Sequence, residues 1–212
     1  IGVRSIFIVS LVSGCVGFIL AFQMSPPLDG FGQKDKVANI TGVAVLRELG
    51  PLIAAIVMTG FAGAAIAAEI GTMVVGEEIE ALEAHALNPV RFLVVPRVIA
   101  AVLSMTLLAV LSDWVAITAG YIVGRFSLGI DGDIYIRNTL DQVKMADFLT
   151  GIGKASVFGL LIGLISCSNG LRVTGGAAGV GNATTNTVVQ SVVAIVIADL
   201  IFTYLFLSAG WV

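Results

Sequence analysis

Residues 51–75 read PLIAAIVMTGFAGAAIAAEIGTMVV, with a single ionisable side chain, Glu69. A helix that crosses the hydrocarbon core of a bilayer needs about 20 mainly apolar residues. This run is long enough, and Pro51 stands where a helix start tolerates proline. Apolar and polar residues do not alternate along it, as they would on a barrel strand, so a helix is expected. Runs of the same kind occupy 3–22, 92–123, 152–167 and 188–207. The run 92–123 would span about 48 Å at about 1.5 Å per residue, so it must tilt or project. The expectation is an all-α integral membrane protein, one domain over residues 1–212, with five transmembrane helices.

Composition agrees. Hydrophobic residues make up 58% and charged residues 12%, and the mean hydropathy is +1.04. Soluble domains run near about 45–50% apolar and about 25% charged. Eleven Lys and Arg against fourteen Asp and Glu leave a net charge of -3. That leaves no basic face, which excludes a nucleic-acid-binding module. His85 is the sole histidine, and Cys15 and Cys167 read as small buried hydrophobes inside apolar runs. No metal cage or disulfide framework can be built from these residues. Gly151-Ile-Gly153-Lys154-Ala155 lacks the earlier glycine and the following Ser or Thr of a phosphate-binding loop. No catalytic site is expected.

The connections differ in character. Pro26, Pro27, Asp29, Gly30 and Gly32 are expected to break the chain after the first span. Residues 168–186 are rich in Gly, Thr and Asn, and the glycines between Gly175 and Gly181 read as a flexible turn. Residues 76–89 are the most informative. Ile79, Leu82 and Ala86 form an apolar stripe at helical spacing, and Glu77, Glu80 and Glu83 form an acidic one. Asn88-Pro89 ends this short amphipathic helix. It is either a surface connector or a rigid piece that docks on a partner.

Small residues mark close helix contacts within lipid. The second span offers two stripes, Gly60–Ala64–Ala68 and Gly63–Ala67–Gly71, and the fourth offers Gly159 and Gly163. Ionisable groups within the runs include Glu69, Asp113, Lys154 and Asp199, with Arg47 and Glu48 at the mouth of the second span. Such groups usually face a bundle interior or water. Glu69 is expected to point at a neighbouring helix, either paired with Lys154 or as a protonated carboxyl. The charges read either as glue between helices or as a polar lining of a substrate path. Lys and Arg are spread over both sides, so the positive-inside rule does not fix orientation.

Several motifs occur in one order: Leu46-Arg-Glu-Leu-Gly-Pro51, Gly60-x-x-Gly63 with Glu69-Ile-Gly71-Thr-Met73, Glu77-Glu-Ile-Glu-Ala-Leu82, Asn88-Pro-x-Arg91, Val95-Pro-Arg97, and the glycine run 175–181 ahead of a span with Asp199. Together they resemble the MlaE (YrbE) permease family, the membrane subunits of Mce-associated ABC lipid transporters, over roughly residues 6–206. The resemblance implies a homodimer in a bacterial inner membrane or a chloroplast inner envelope, with two cytosolic ATPase subunits and an Mce-domain (MlaD-like) partner. It implies phospholipid or a related lipid as substrate. ATP and Mg would bind in the partner ATPase, with no cofactor on this chain. Residues 76–89 would then be the cytosolic coupling helix, with Glu77, Glu78, Glu80, Ala81, Leu82, Glu83 and Leu87 meeting the ATPase. Lipid tails would lie against Leu20, Phe22, Leu52, Ile56 and Phe61, and Glu69, Lys154 and Asp199 would be intramembrane polar groups. Phe61 stands where family members often carry Arg. The family's interfacial helix before the first span is missing here, as a trimmed N-terminus would leave it. The rival expectation is an ion-coupled secondary transporter or channel using Glu69, Lys154 and Asp199, but the internal repeat of many such folds is not evident.

Overall fold

The computed structural model describes residues 5–210, and every element among them is helical. Five helices are long and apolar enough to cross a membrane: α1 (Ile6–Gly30), α2 (Val37–Val75), α4 (Val90–Phe126), α6 (Met145–Leu171) and α7 (Gly176–Ser208). Two short α-helices and a 3-10 turn at Lys34–Lys36, between α1 and α2, connect them. α3 (Glu78–Ala84) links α2 to α4, and α5 (Gly132–Gln142) links α4 to α6.

The number of spans is as expected, but their ends move. The expected start at residue 3 lies outside the described residues. α1 does not break at Pro26 and Pro27 but runs on to Gly30. Each proline withholds an N–H from the preceding turn. Packing offsets this, because Met24 and Leu28 press on a cluster of Ala21, Val37, Ala38, Val123, Ile130 and Tyr135. The expected loop 168–186 is likewise mostly helix. The chain turns between Leu171 and Gly176, where Gly175 (φ 85°) and Gly176 (φ 70°) take left-handed conformations that disfavour a Cβ. Beyond them α7 is regular. Cys15, expected to be buried, is exposed on α1, whereas Cys167 is buried.

α2 is continuous but not uniform. It widens into π-turns at Val45–Leu49 and Thr59–Gly63, and α4 opens with another at Val90–Val94. Two of the three share a cause. Gly50 precedes Pro51 and Val95 precedes Pro96, and their N–H groups reach back five residues to the Val45 and Val90 carbonyls. A proline has no N–H, and its ring crowds the carbonyl four residues earlier. The wider turn relieves that crowding. Pro51 offers no donor to the Leu46 carbonyl, and that carbonyl lies against Gly151 of α6 so closely that a Cβ there would overlap it.

α2 is the enclosed helix of the bundle. Half of its most apolar window is buried, against 11% for α7. Within lipid, helices associate through close packing more than through the hydrophobic effect, and the contacts follow small residues. Gly17 of α1 rests on the Ala116 backbone of α4. A Cβ on Gly159 of α6 would come within 2.8 Å of Val102 Cα in α4. Of the two stripes on α2, Gly63, Ala67 and Gly71 are buried, while Gly60 faces open space. The bundle's main core gathers Ala54, Met58, Met105, Phe158, Ile162 and Ile195 from α2, α4, α6 and α7.

Candidate functional site

An ionic cluster lies inside the bundle. Lys154 of α6 is 2% exposed, and its Nζ lies 2.7 Å from Glu48 Oε2 and 3.0 Å from Asp199 Oδ1. Lys154 also donates to Thr203 Oγ1 at 2.8 Å, and the Thr203 hydroxyl donates to Glu48 Oε1 at 2.8 Å. Asp199 and Thr203 are four residues apart on α7 and share a face. One ammonium thus joins α2, α6 and α7. A buried lysine needs such partners, because an unpaired charge in low dielectric is very costly.

A second pair flanks the first. Arg47 Nε donates to Asp147 Oδ1 at 2.7 Å. Asp147 is 1% exposed, and its other oxygen accepts the Lys144 backbone N–H at the start of α6. Arg47 and Glu48 are sequence neighbours in the first π-turn, whereas Asp147 and Lys154 lie two turns apart on α6. Opposite signs face each other at both points. A hollow of about 40 Å³, lined by Arg47, Glu48, Thr150, Lys154, Thr203, Phe206 and Leu207, lies between them. That is room for about one water molecule.

Glu69 is not part of this cluster. Its side chain is 63% exposed and accepts from Arg97 Nη2 at 2.8 Å. The pairing with Lys154 considered from sequence is not made, because Glu69 lies off the buried Gly63–Ala67–Gly71 face. Lys154 and Asp199 do meet. Glu48 stood out only as a charge at a helix mouth, and Thr203 and Asp147 gave no sign beyond helical spacing. Asp113 is 5% exposed, and its Oδ1 has no hydrogen-bond partner.

Outside the bundle, α3 projects from the end of α2. Glu77 (φ 59°) and Ala86 (φ 58°) bracket it in left-handed conformations rare for residues with a Cβ. Glu77, Glu78, Glu80, Ala81, Glu83 and Leu87 are exposed, and Ile79 and Leu82 are half-buried. An open groove of about 620 Å³ runs beside it, lined by Ile79, Glu83, Leu87, Val90 and Leu171 among others. α3 ends at Ala84, four residues before the stop expected at Asn88-Pro89, and Asn88 serves the next helix instead. Its Oδ1 accepts the Val90 N–H at 3.0 Å and so caps α4. Of the residues expected along a lipid path, Phe22, Ile56 and Phe61 are exposed apolar side chains, Leu20 is half-buried, and Leu52 packs on the main core.

Five apolar helices with charges paired in their interior define a multi-pass membrane protein. A family model described as Permease MlaE matches residues 1–205. A probable ABC transporter permease protein of Rickettsia typhi is 37% identical over 205 residues, 97% of this chain and 79% of the relative. Another, from Synechocystis, is 35% identical over 97% of this chain and 78% of its own length. The chloroplastic protein TRIGALACTOSYLDIACYLGLYCEROL 1 of Arabidopsis thaliana is 34% identical over 99% of this chain and 60% of its own. The chain belongs to the MlaE permease family and is an ABC transporter permease, a transport subunit rather than a catalytic one.

Proposed function

We propose that this permease moves phospholipid or a related lipid between membranes, driven by ATP hydrolysis on separate subunits. The observation that carries the lipid assignment is similarity along nearly the whole chain to a relative named for a galactolipid. The working unit is a homodimer with two cytosolic ATPase subunits, which bind ATP and Mg, and an Mce-domain partner. It sits in a bacterial inner membrane or a chloroplast inner envelope. α3 is the coupling helix. Its exposed glutamates and the adjoining groove suit a docking element that transmits motion from outside the membrane. The exposed Phe22, Ile56 and Phe61 suit contact with acyl chains.

The test is reconstitution of the complex in phospholipid vesicles, with Glu80→Lys and Leu82→Glu as variants. Loss of ATPase binding and of lipid-stimulated ATP hydrolysis is expected. If both survive, the coupling assignment is wrong. The buried Lys154 cluster favours a second reading, in which an ion gradient drives transport through those groups. Transport by the chain alone, without any ATPase, would establish that reading and overturn the first.

A further inference from the structure

Asp113 is buried in the middle of α4 without a partner. Its Oδ1 makes no hydrogen bond, and none of the ion pairs among the described residues involves it. Burying a carboxyl unsatisfied is costly, and an apolar side chain would avoid that cost, though its bulkier methyl groups would not match the flat carboxyl. What the carboxyl does touch is Gly50. A Cβ added to Gly50 would overlap Asp113 Oδ1 and lie 2.8 Å from its Cγ. Asp113 therefore occupies the notch left by the missing side chain.

Gly50 is the residue that closes the first π-turn, through its N–H to the Val45 carbonyl. That turn carries Arg47 and Glu48, which bond Asp147 and Lys154 of α6. On the far side, Ser112 beside Asp113 bonds Ser13 of α1 at 2.7 Å, fixing α4 in place. A chain of contacts thus runs from α1 through α4 to the π-turn and the ionic cluster. We propose that Asp113 is a positioning residue: its carboxyl seats Gly50 and sets the angle at which the π-turn presents Glu48 to Lys154. The consequence for transport rests on the lipid-transport reading; the seating itself does not.

The test uses the whole protein in its complex, with melting in detergent and lipid transport in phospholipid vesicles measured side by side. Gly50→Ala is expected to lower the melting temperature and to cut transport about tenfold. Adding Asp113→Ala to it opens the notch and restores most of the melting temperature. Asp113→Asn, which keeps shape and polarity, is expected to transport within about twofold of the parent, whereas Asp113→Leu melts near the parent yet loses about tenfold. Because both act through one group, Asp113→Leu combined with Glu48→Gln is expected to lose no more than the worse single variant. Harmless Gly50→Ala, no recovery of melting in the double variant, full transport by Asp113→Leu, or multiplying losses with Glu48→Gln would each overturn the proposal. If the parent complex moves no lipid while the melting rescue holds, the transport reading falls and the seating stands.

Discussion

Lys154 and Glu48 lie 2.7 Å apart, the lysine 2% exposed and the glutamate held in the π-turn of α2. Removing the ammonium leaves Glu48, 34% exposed, and Asp199, 17% exposed, facing each other without a counter-charge. Lys154→Ala is therefore expected to cost about 2–3 kcal/mol, below the range for breaking a fully buried pair because Glu48 is partly open. Replacing all three charges at once, as Lys154→Met with Glu48→Gln and Asp199→Asn, is expected to recover much of that. Thermal unfolding in detergent checks both.

The Arg97–Glu69 pair is a contrasting case. Glu69 is 63% exposed, so the contact is open on one side where Lys154 is enclosed, and Glu69→Gln is expected to cost less than Lys154→Ala. The same melting assay should separate it clearly from Lys154→Ala. Equal costs would mean that this pair is shielded by something outside the chain.

At the contact between α4 and α6, a side chain on Gly159 would strike Val102 Cα and Met105 Cβ at 2.8 Å and the Ala101 carbonyl at 2.9 Å. Backbone cannot yield as a flexible side chain does. Gly159→Val is expected to destabilise by about 3 kcal/mol or more, as overpacking does at its upper end. Gly153, on the same helix with nothing within 4 Å, is the control. Gly153→Ala is expected to stabilise by about 0.5–1 kcal/mol through helix propensity.

Ala86 sits at φ 58° at the end of the connector that holds α3. A Cβ in that conformation costs about 1–2 kcal/mol, which glycine avoids. Ala86→Gly is expected to slow amide hydrogen exchange across residues 78–87. Faster exchange would show that flexibility gained in the unfolded connector outweighs the relieved strain.

Tyr135 in α5, outside the membrane-spanning helices, is buried against Gly124 and edge-on to Tyr121, with ring centroids 5.6 Å apart. Burial pushes its hydroxyl up to about 12. A raised pKa means that the folded state prefers the neutral phenol. Its stabilising effect is whole below about pH 10 and fades as pH rises toward 12, a loss of about 2 kcal/mol by pH 12. Ultraviolet absorbance should show a phenolate step near pH 12 that Tyr135→Phe removes.

The five spans were legible because lipid imposes a length and a composition on any helix that crosses it. Their ends were not. Pro26 and Pro27 break an isolated helix, but Met24 and Leu28 hold this one together by packing against other helices. The glycines after Gly176 looked like a turn because local propensity takes no account of neighbours. Gly71 has no side chain where Val173 and Val180 pack, and such close approach is what small residues permit. The cluster was half legible. Lys154 and Asp199 stood out as charges in apolar runs, but Glu48 could be matched to them only once the π-turn fixed where it points. One extra residue in a helical turn re-aims everything beyond it, and periodicity assumes no such residue. The acidic face of α3 was legible because exposed glutamates at helical spacing need no tertiary information.

Pro51 and Gly151 form a pair across a hundred residues of chain. The proline withholds a donor from the Leu46 carbonyl, and that carbonyl lies against Gly151 instead. The bare Cα of Gly151 brings one weakly polar C–H bond to that oxygen, and a contact of this kind is worth about 0.5–1 kcal/mol. A defect in the hydrogen bonding of one helix thus becomes an adhesive spot for another. It also fixes how far α6 can slide along α2 before the oxygen loses its substitute donor.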